Sequence, residues 1–112
     1  MKSLILFDTE YTAWKGSQER NWSNENEHRE IIQISAYKIQ NYKIIDTLNI
    51  YVKPNINKKL SKYITNLTGI TNNKIKYRNT IEQNREKIEE WFDFNNKNIY
   101  LIAHNGDNFD LK

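Results

Sequence analysis

Across residues 30–53 apolar and polar side chains alternate through two runs, interrupted only by Asn41-Tyr42. In the first run Ile32, Ile34 and Ala36 share one side, with Ile31, Gln33, Ser35 and Tyr37 on the other. In the second, Ile44, Asp46, Leu48, Ile50 and Val52 oppose Ile45, Thr47, Asn49, Tyr51 and Lys53. A period of two marks extended chain, because successive side chains leave a pleated strand on opposite sides. A link this short joins antiparallel neighbours. Whatever else forms must therefore be built around a sheet that contains this hairpin. Pro54, the only proline, ends it.

The flanking segments extend the sheet. Residues 3–11 predict a buried strand, a short apolar run closing in polar residues, and the polar residues 14–29 predict a long surface loop. Beyond the hairpin, Leu60, Ile64 and Leu67 have helical spacing, with Gly69 placed for a left-handed cap. Thr80 and Gln83 form a capping-box pattern ahead of a second helix to about Phe94, with Ile81, Ile88, Trp91 and Phe92 as its buried stripe. Residues 95–98 read as a turn. Residues 99–103 are continuously apolar, as a central strand is. Residues 104–110 read as a polar loop and Leu111-Lys112 as the opening of another helix. The expected class is α/β: β-β-β-α-α-β and the start of α, a mixed sheet with helices packed on it.

Composition removes several classes of function. The 112 residues make one domain or part of one, at a size that is marginal for independent folding. With no cysteine there is no disulfide framework, thiolate metal site or cysteine nucleophile, which suits a reducing cytoplasm. No stretch approaches the roughly 20 apolar residues of a membrane helix, and the run from Leu4 to Phe7 is too short for a signal peptide. We therefore expect a soluble, cytoplasmic protein. A formal charge of +3 fits a polyanionic partner without demanding one.

The chemistry rests on carboxylates. Asp8 and Glu10 stand at i and i+2 where the apolar run of the first strand ends, so both project from one face. Two acids side by side repel unless a cation holds them, and an oxygen-only donor set suits Mg²⁺ or Mn²⁺. The segment His104-Asn105-Gly106-Asp107-Asn108-Phe109-Asp110 follows the fourth strand. If the first and fourth strands are parallel neighbours, their carboxyl ends meet, and Asp110 can reach the metal held by Asp8 and Glu10. Three carboxylates on adjoining strand ends fit a two-metal nuclease site, with ions about 4 Å apart.

Phe7-Asp8-Thr9-Glu10, continued by Tyr11-Thr12-Ala13-Trp14, resembles the first exonuclease motif of the DnaQ-like (DEDDh) family. Glu30-Ile31-Ile32-Gln33-Ile34-Ser35-Ala36 resembles the strand that follows it, and Leu67-Thr68-Gly69-Ile70-Thr71 resembles the family's helix junction. The His-Asn-Gly-Asp-x-aromatic-Asp segment is similar to the second motif in its TREX-like form. The resemblance implies an RNase H-like fold and a 3′→5′ exonuclease that hydrolyses the last phosphodiester of a single-stranded DNA or RNA 3′ end, releasing a nucleoside monophosphate. It implies Asp8, Glu10 and Asp110 as the metal-binding acids, with Asp8 bridging both ions and Asp107 as the competing third acid. It further suggests substrate contacts from Thr9, Trp14, the backbone around Leu67, Gly69 and Ile70, and Asn105, the last more as a buttress of its loop.

The family's third motif supplies a histidine general base and a fourth acid, and nothing in these residues fills that role. His104 belongs to the second motif, and His28 lies in the predicted loop. The expectation is an incomplete amino-terminal exonuclease domain over 1–112, weakly active or inactive alone, with an exposed edge and apolar face on its fourth strand. The alternatives are a non-catalytic metal- or nucleic-acid-binding remnant, part of a split protein, or another RNase H-like phosphoryl-transfer enzyme. Trp14, Trp22 and Arg20 can stack on bases, though packing against the sheet and loop is the simpler reading. Lys58, Lys59 and Lys62 can meet phosphates, though a solvated helix face is the simpler reading.

Overall fold

The computed structural model describes the backbone of residues 2–105 and 108–111, with side chains as far as His104. Five strands form one sheet in the order β3-β2-β1-β4-β5. They are β1 (Ser3–Tyr11), β2 (Ile31–Gln40), β3 (Lys43–Tyr51), β4 (Ile99–Asn105) and β5 (Asn108–Leu111). Three helices lie between β3 and β4: α1 (Lys62–Thr68), α2 (Asn72–Ile75) and α3 (Arg85–Phe92). The predicted hairpin is β2–β3, with Asn41 and Tyr42 both at positive φ in the connection. β1 is antiparallel to β2 and parallel to β4, so it is central, and its carboxyl end lies beside that of β4.

One face of the sheet is closed by α3. Ile5, Phe7, Ile34, Ala36, Leu48 and Ile50 meet Ile88, Trp91 and Phe92 there, the Phe92 ring standing edge-on to Phe7 at 5.8 Å between centroids. The helix is pinned by polar contacts as well. The Trp91 indole donates to Asp46, and Lys38 donates to the Trp91 carbonyl while lying over its ring. The capping box ahead of α3 forms reciprocally, Gln83 N–H donating to the Thr80 hydroxyl and Thr80 N–H to the Gln83 side chain. Regular helix nevertheless starts at Arg85 and stops at Phe92, because Asp93 takes a left-handed conformation.

A second core sits at the far end of the sheet. Ile32 is buried there against Leu60, Ile64, Ile70 and Ile75 from α1 and α2. Ser61 caps α1 through its hydroxyl, and Gly69 ends it at φ 78°, as predicted. The short α2 was not expected; Thr71 caps it by accepting from Lys74 N–H.

Two expectations about the end of the chain need correction. Asn108–Leu111 extends as β5, antiparallel to β4, where a polar loop and a helix start were expected. The physical reason is the edge of β4: pairing with β5 satisfies backbone groups that an edge strand otherwise leaves unpaired. The expected exposed edge of β4 is thus covered over Ile102–Asn105. The face opposite α3 stays open, with Tyr37 and Tyr100 exposed on it. Among the described residues no helix is long and apolar enough to cross a membrane.

Candidate active site

Asp8 and Glu10 occupy the last turns of the pleat in β1, on the open face of the sheet. Register places Asp8 between Ser35 of β2 and His104 of β4, and Glu10 opposite Gln33. The His104 ring stands beside Asp8, its Nδ1 3.9 Å from Asp8 Oδ2, with both side chains about two-fifths exposed. Burial, and then the neighbouring Asp8 charge, push the Glu10 carboxyl above the ordinary carboxylate range. A cation between the two acids would relieve that strain, and two hard oxygen donors fit a divalent ion of the magnesium type. Among the described residues no group of three histidine, aspartate or glutamate side chains is arranged to hold a metal.

A cleft of about 310 Å³ opens beside the pair, lined by Leu6, Phe7, Asp8, Ser35, Tyr37 and His104. The larger groove, about 450 Å³, lies under α3 on the other face and is lined chiefly by Phe7, Tyr11, Ile31, Ile34, Ile88 and Phe92. It is a gap between helix and sheet, removed from the acids. Thr9 lines that groove, so its side chain is not gathered with Asp8 and Glu10.

The remaining predicted residues are placed unevenly. Asp110 pairs in register with Ala103, one strand beyond β4 as seen from β1. The side chains of Asn105 and Asp110, and all of Asp107, lie outside the described residues. Leu67 is 67% exposed on α1, free to meet a ligand, whereas the Ile70 side chain is 1% exposed and belongs to the core, leaving only its backbone to do so. Trp14 is half-buried, its N–H donating to the Ser17 hydroxyl. Trp22 covers the loop: its indole donates to the Thr12 carbonyl, and Arg29 lies over its ring. Arg20 pairs with Glu27 inside that loop.

Sequence reasoning missed the residues that hold the loop in place. Thr12, 2% exposed, donates its hydroxyl to the His28 carbonyl and accepts from Glu30 N–H, so the loop closes directly behind β1. The Glu30 carboxylate accepts from the N–H groups of Asn55, Ile56 and Asn57 and fixes the approach to α1. Ser61, besides capping α1, donates to the Ala13 carbonyl. Neither a buried threonine nor a carboxylate on backbone amides leaves a spacing signal; both depend on partners far along the chain.

A sequence model of an exonuclease family of RNase T type matches residues 5–112. The PolC-type DNA polymerase III of Caldanaerobacter subterraneus is 39% identical over 108 residues, and that of Mycoplasma genitalium 32% identical over 109. These matches take in 96% and 97% of this chain but 6% of each relative. The chain thus spans a small part of the curated relatives it matches. Among solved structures, the nuclease domain of 3′hExo, described as a DEDDh member bound to rAMP, superposes with a TM-score of 0.76 at 26% identity, over 93% of this chain and 52% of that one. Cell-death related nuclease 4 gives 0.69 at 26% identity, over 92% and 35%. The fold these structures share with the chain is RNase H-like.

Proposed function

Since the chain belongs to the RNase T exonuclease family, we propose that it is the amino-terminal part of a metal-dependent 3′→5′ exonuclease unit acting on single-stranded nucleic-acid 3′ ends. The observation that carries this reading is the pairing of Asp8 and Glu10 on the open face of a central strand, where parallel β4 ends beside them. That is where open α/β sheets take ligands.

In this reading Asp8 and Glu10 hold Mg²⁺ or Mn²⁺, with Asp110 as the third acid. The bound ions would supply charge neutralisation at the scissile phosphate and lower the pKa of the attacking water. The chain's own part is to hold two carboxylates on one face of a central strand, with His104 3.9 Å from Asp8. The cleft by Tyr37 and His104 receives the terminal nucleotide. No residue of these 112 is assigned as the general base. Substrate is a polynucleotide 3′ end, DNA or RNA, and the product a nucleoside monophosphate.

The test is a 3′-labelled single strand incubated with the full-length protein that carries this chain, with Mg²⁺ or with chelator. Metal-dependent mononucleotide release, abolished by a blocked 3′ end and by Asp8→Ala, is expected. Cleavage of the blocked strand would point instead to an endonuclease. A second reading is binding of metal or nucleic acid without turnover. It predicts oligonucleotide binding and no release under any metal.

A further inference from the structure

The charges of this chain are segregated. Residues 47–81 contain seven cations, Lys53, Lys58, Lys59, Lys62, Lys74, Lys76 and Arg78, and no aspartate or glutamate. All fourteen acids lie in the rest of the chain, where they outnumber the cations. That stretch builds the end of β3, α1, α2 and their turns. Among the described residues none of the seven cations makes an ion pair.

The stretch is also firmly held. The second core packs it against Ile32, Leu60 N–H donates to the Asn72 side chain, and Lys53 N–H donates to the Asn79 carbonyl. Aromatic rings stand among the charges. Lys74 and Arg78 both lie over Tyr51, at 5.6 and 5.9 Å from its centroid, and Lys76 lies over Tyr77, which is 86% exposed. The Ser61 hydroxyl on the Ala13 carbonyl joins this module to the chain three residues beyond Glu10. A rigid cationic surface without acids, interleaved with rings, matches a phosphodiester backbone carrying bases that stack.

We infer that the α1–α2 module is a binding surface for single-stranded nucleic acid, separate from the acidic site, which holds the strand several nucleotides upstream of the 3′ end. It rests on the exonuclease reading for its purpose but not for its test. Binding of a twelve-nucleotide DNA and an RNA of the same sequence is measured by anisotropy in chelator, where no cleavage intrudes. The variant Lys74→Gln/Lys76→Gln/Arg78→Gln is expected to weaken binding at least about thirtyfold at low salt and to reduce the log–log salt slope by about 2, the share of three phosphate contacts on a single strand. The variant Lys74→Arg/Lys76→Arg/Arg78→Lys keeps the charge and should keep the affinity. An unchanged slope and affinity in the glutamine variant, with circular dichroism confirming the fold, overturns the inference. So does binding to phosphatidylserine vesicles without binding to either oligonucleotide. If the full-length protein cleaves, the glutamine variant should process a dinucleotide normally and the long strand poorly; equal loss on both places the effect at the acidic site and overturns the inference. If it does not cleave, the metal-free measurement still decides.

Discussion

Asp8 and His104 stand at the same register of two parallel strands, with His104 Nδ1 3.9 Å from Asp8 Oδ2. Parallel pairing of β1 with β4 is what brings them together, since their positions are far apart in the chain. The relationship ties the first motif to the second by backbone hydrogen bonds alone, before any metal is considered. Asp8→Asn in the full-length protein should lower activity at least about a hundredfold, the upper end of what losing a mere outer partner of a metal ligand costs. His104→Ala, which leaves the carboxylate but removes the ring beside it, should cost about tenfold. Single-turnover rates with saturating Mn²⁺ would separate the two, and equal losses would put His104 among the groups that touch substrate.

Metal binding should register as stability. Asp8 and Glu10 repel one another on the same strand face, and Glu10 is partly desolvated. A divalent ion at about a hundred times its dissociation constant adds about 2.7 kcal/mol to the folded state, a rise of roughly 10 °C in a domain of this size. Glu10→Gln removes one of the two charges. It should raise the midpoint in chelator and abolish most of the metal-induced rise. A full rise retained in that variant would place the ion elsewhere.

The fold was legible wherever a contact is local or periodic. Both strands of the hairpin, the Gly69 cap and the buried stripe of α3 announce themselves by period two, by a residue tolerant of positive φ, and by helical spacing. The meeting of β1 with β4 entered only as a condition, because a continuous apolar run announces a central strand but not which strand it pairs with. Order in the loop behind β1 was not legible, because it depends on Thr12 finding His28 and Glu30 across a long separation. β5 was missed for a related reason: its register on β4 comes from satisfying an edge, and four residues carry too short a pattern to announce a strand. In the site, the Asp8–Glu10 pair was readable from spacing alone, whereas the closeness of His104 to Asp8 needed the register.

The loop behind β1 should respond to acid. Glu27 is held below the ordinary carboxylate range, chiefly by the hydrogen bond from Arg20, and its side chain is 7% exposed. A depressed carboxyl stabilises the fold above its unfolded pKa, and that contribution disappears as pH falls through the lower, folded value. Thermal midpoints of the wild-type chain should therefore fall on acidification from roughly pH 5 toward pH 3. Glu27→Gln should begin lower at neutral pH and lose less over that interval, because the Arg20 guanidinium is already without its partner. Parallel curves for the two proteins would show that the pair is not coupled to folding.

Gly69 separates backbone conformation from packing. It sits at φ 78°, where its N–H donates to the Thr65 carbonyl and closes α1. No atom lies within 4 Å of where a Cβ would be built. Gly69→Ala therefore carries only the cost of a left-handed residue, about 1 kcal/mol. Asparagine, which tolerates that region, should cost less. Chemical denaturation of the three proteins would check the order. A loss of several kcal/mol for alanine would mean that the junction packs against something beyond these residues.

The last prediction concerns the 112 residues on their own. The face of the sheet that carries Asp8 and Glu10 leaves Tyr37 and Tyr100 exposed, so that side has no layer of helices among the described residues. Nor do these residues hold a histidine and acid in the family's third-motif arrangement to serve as base and fourth ligand. The isolated chain should then bind single strands through the α1–α2 surface yet release mononucleotides at least about a thousandfold more slowly than the full-length protein, a loss of the order seen when general acid–base help is removed. Rates from a 3′-labelled strand at equal concentrations would measure the ratio. Comparable rates would mean that His104 or an unassigned group acts as base, and the proposed division of labour between this chain and what lies outside it would have to be abandoned.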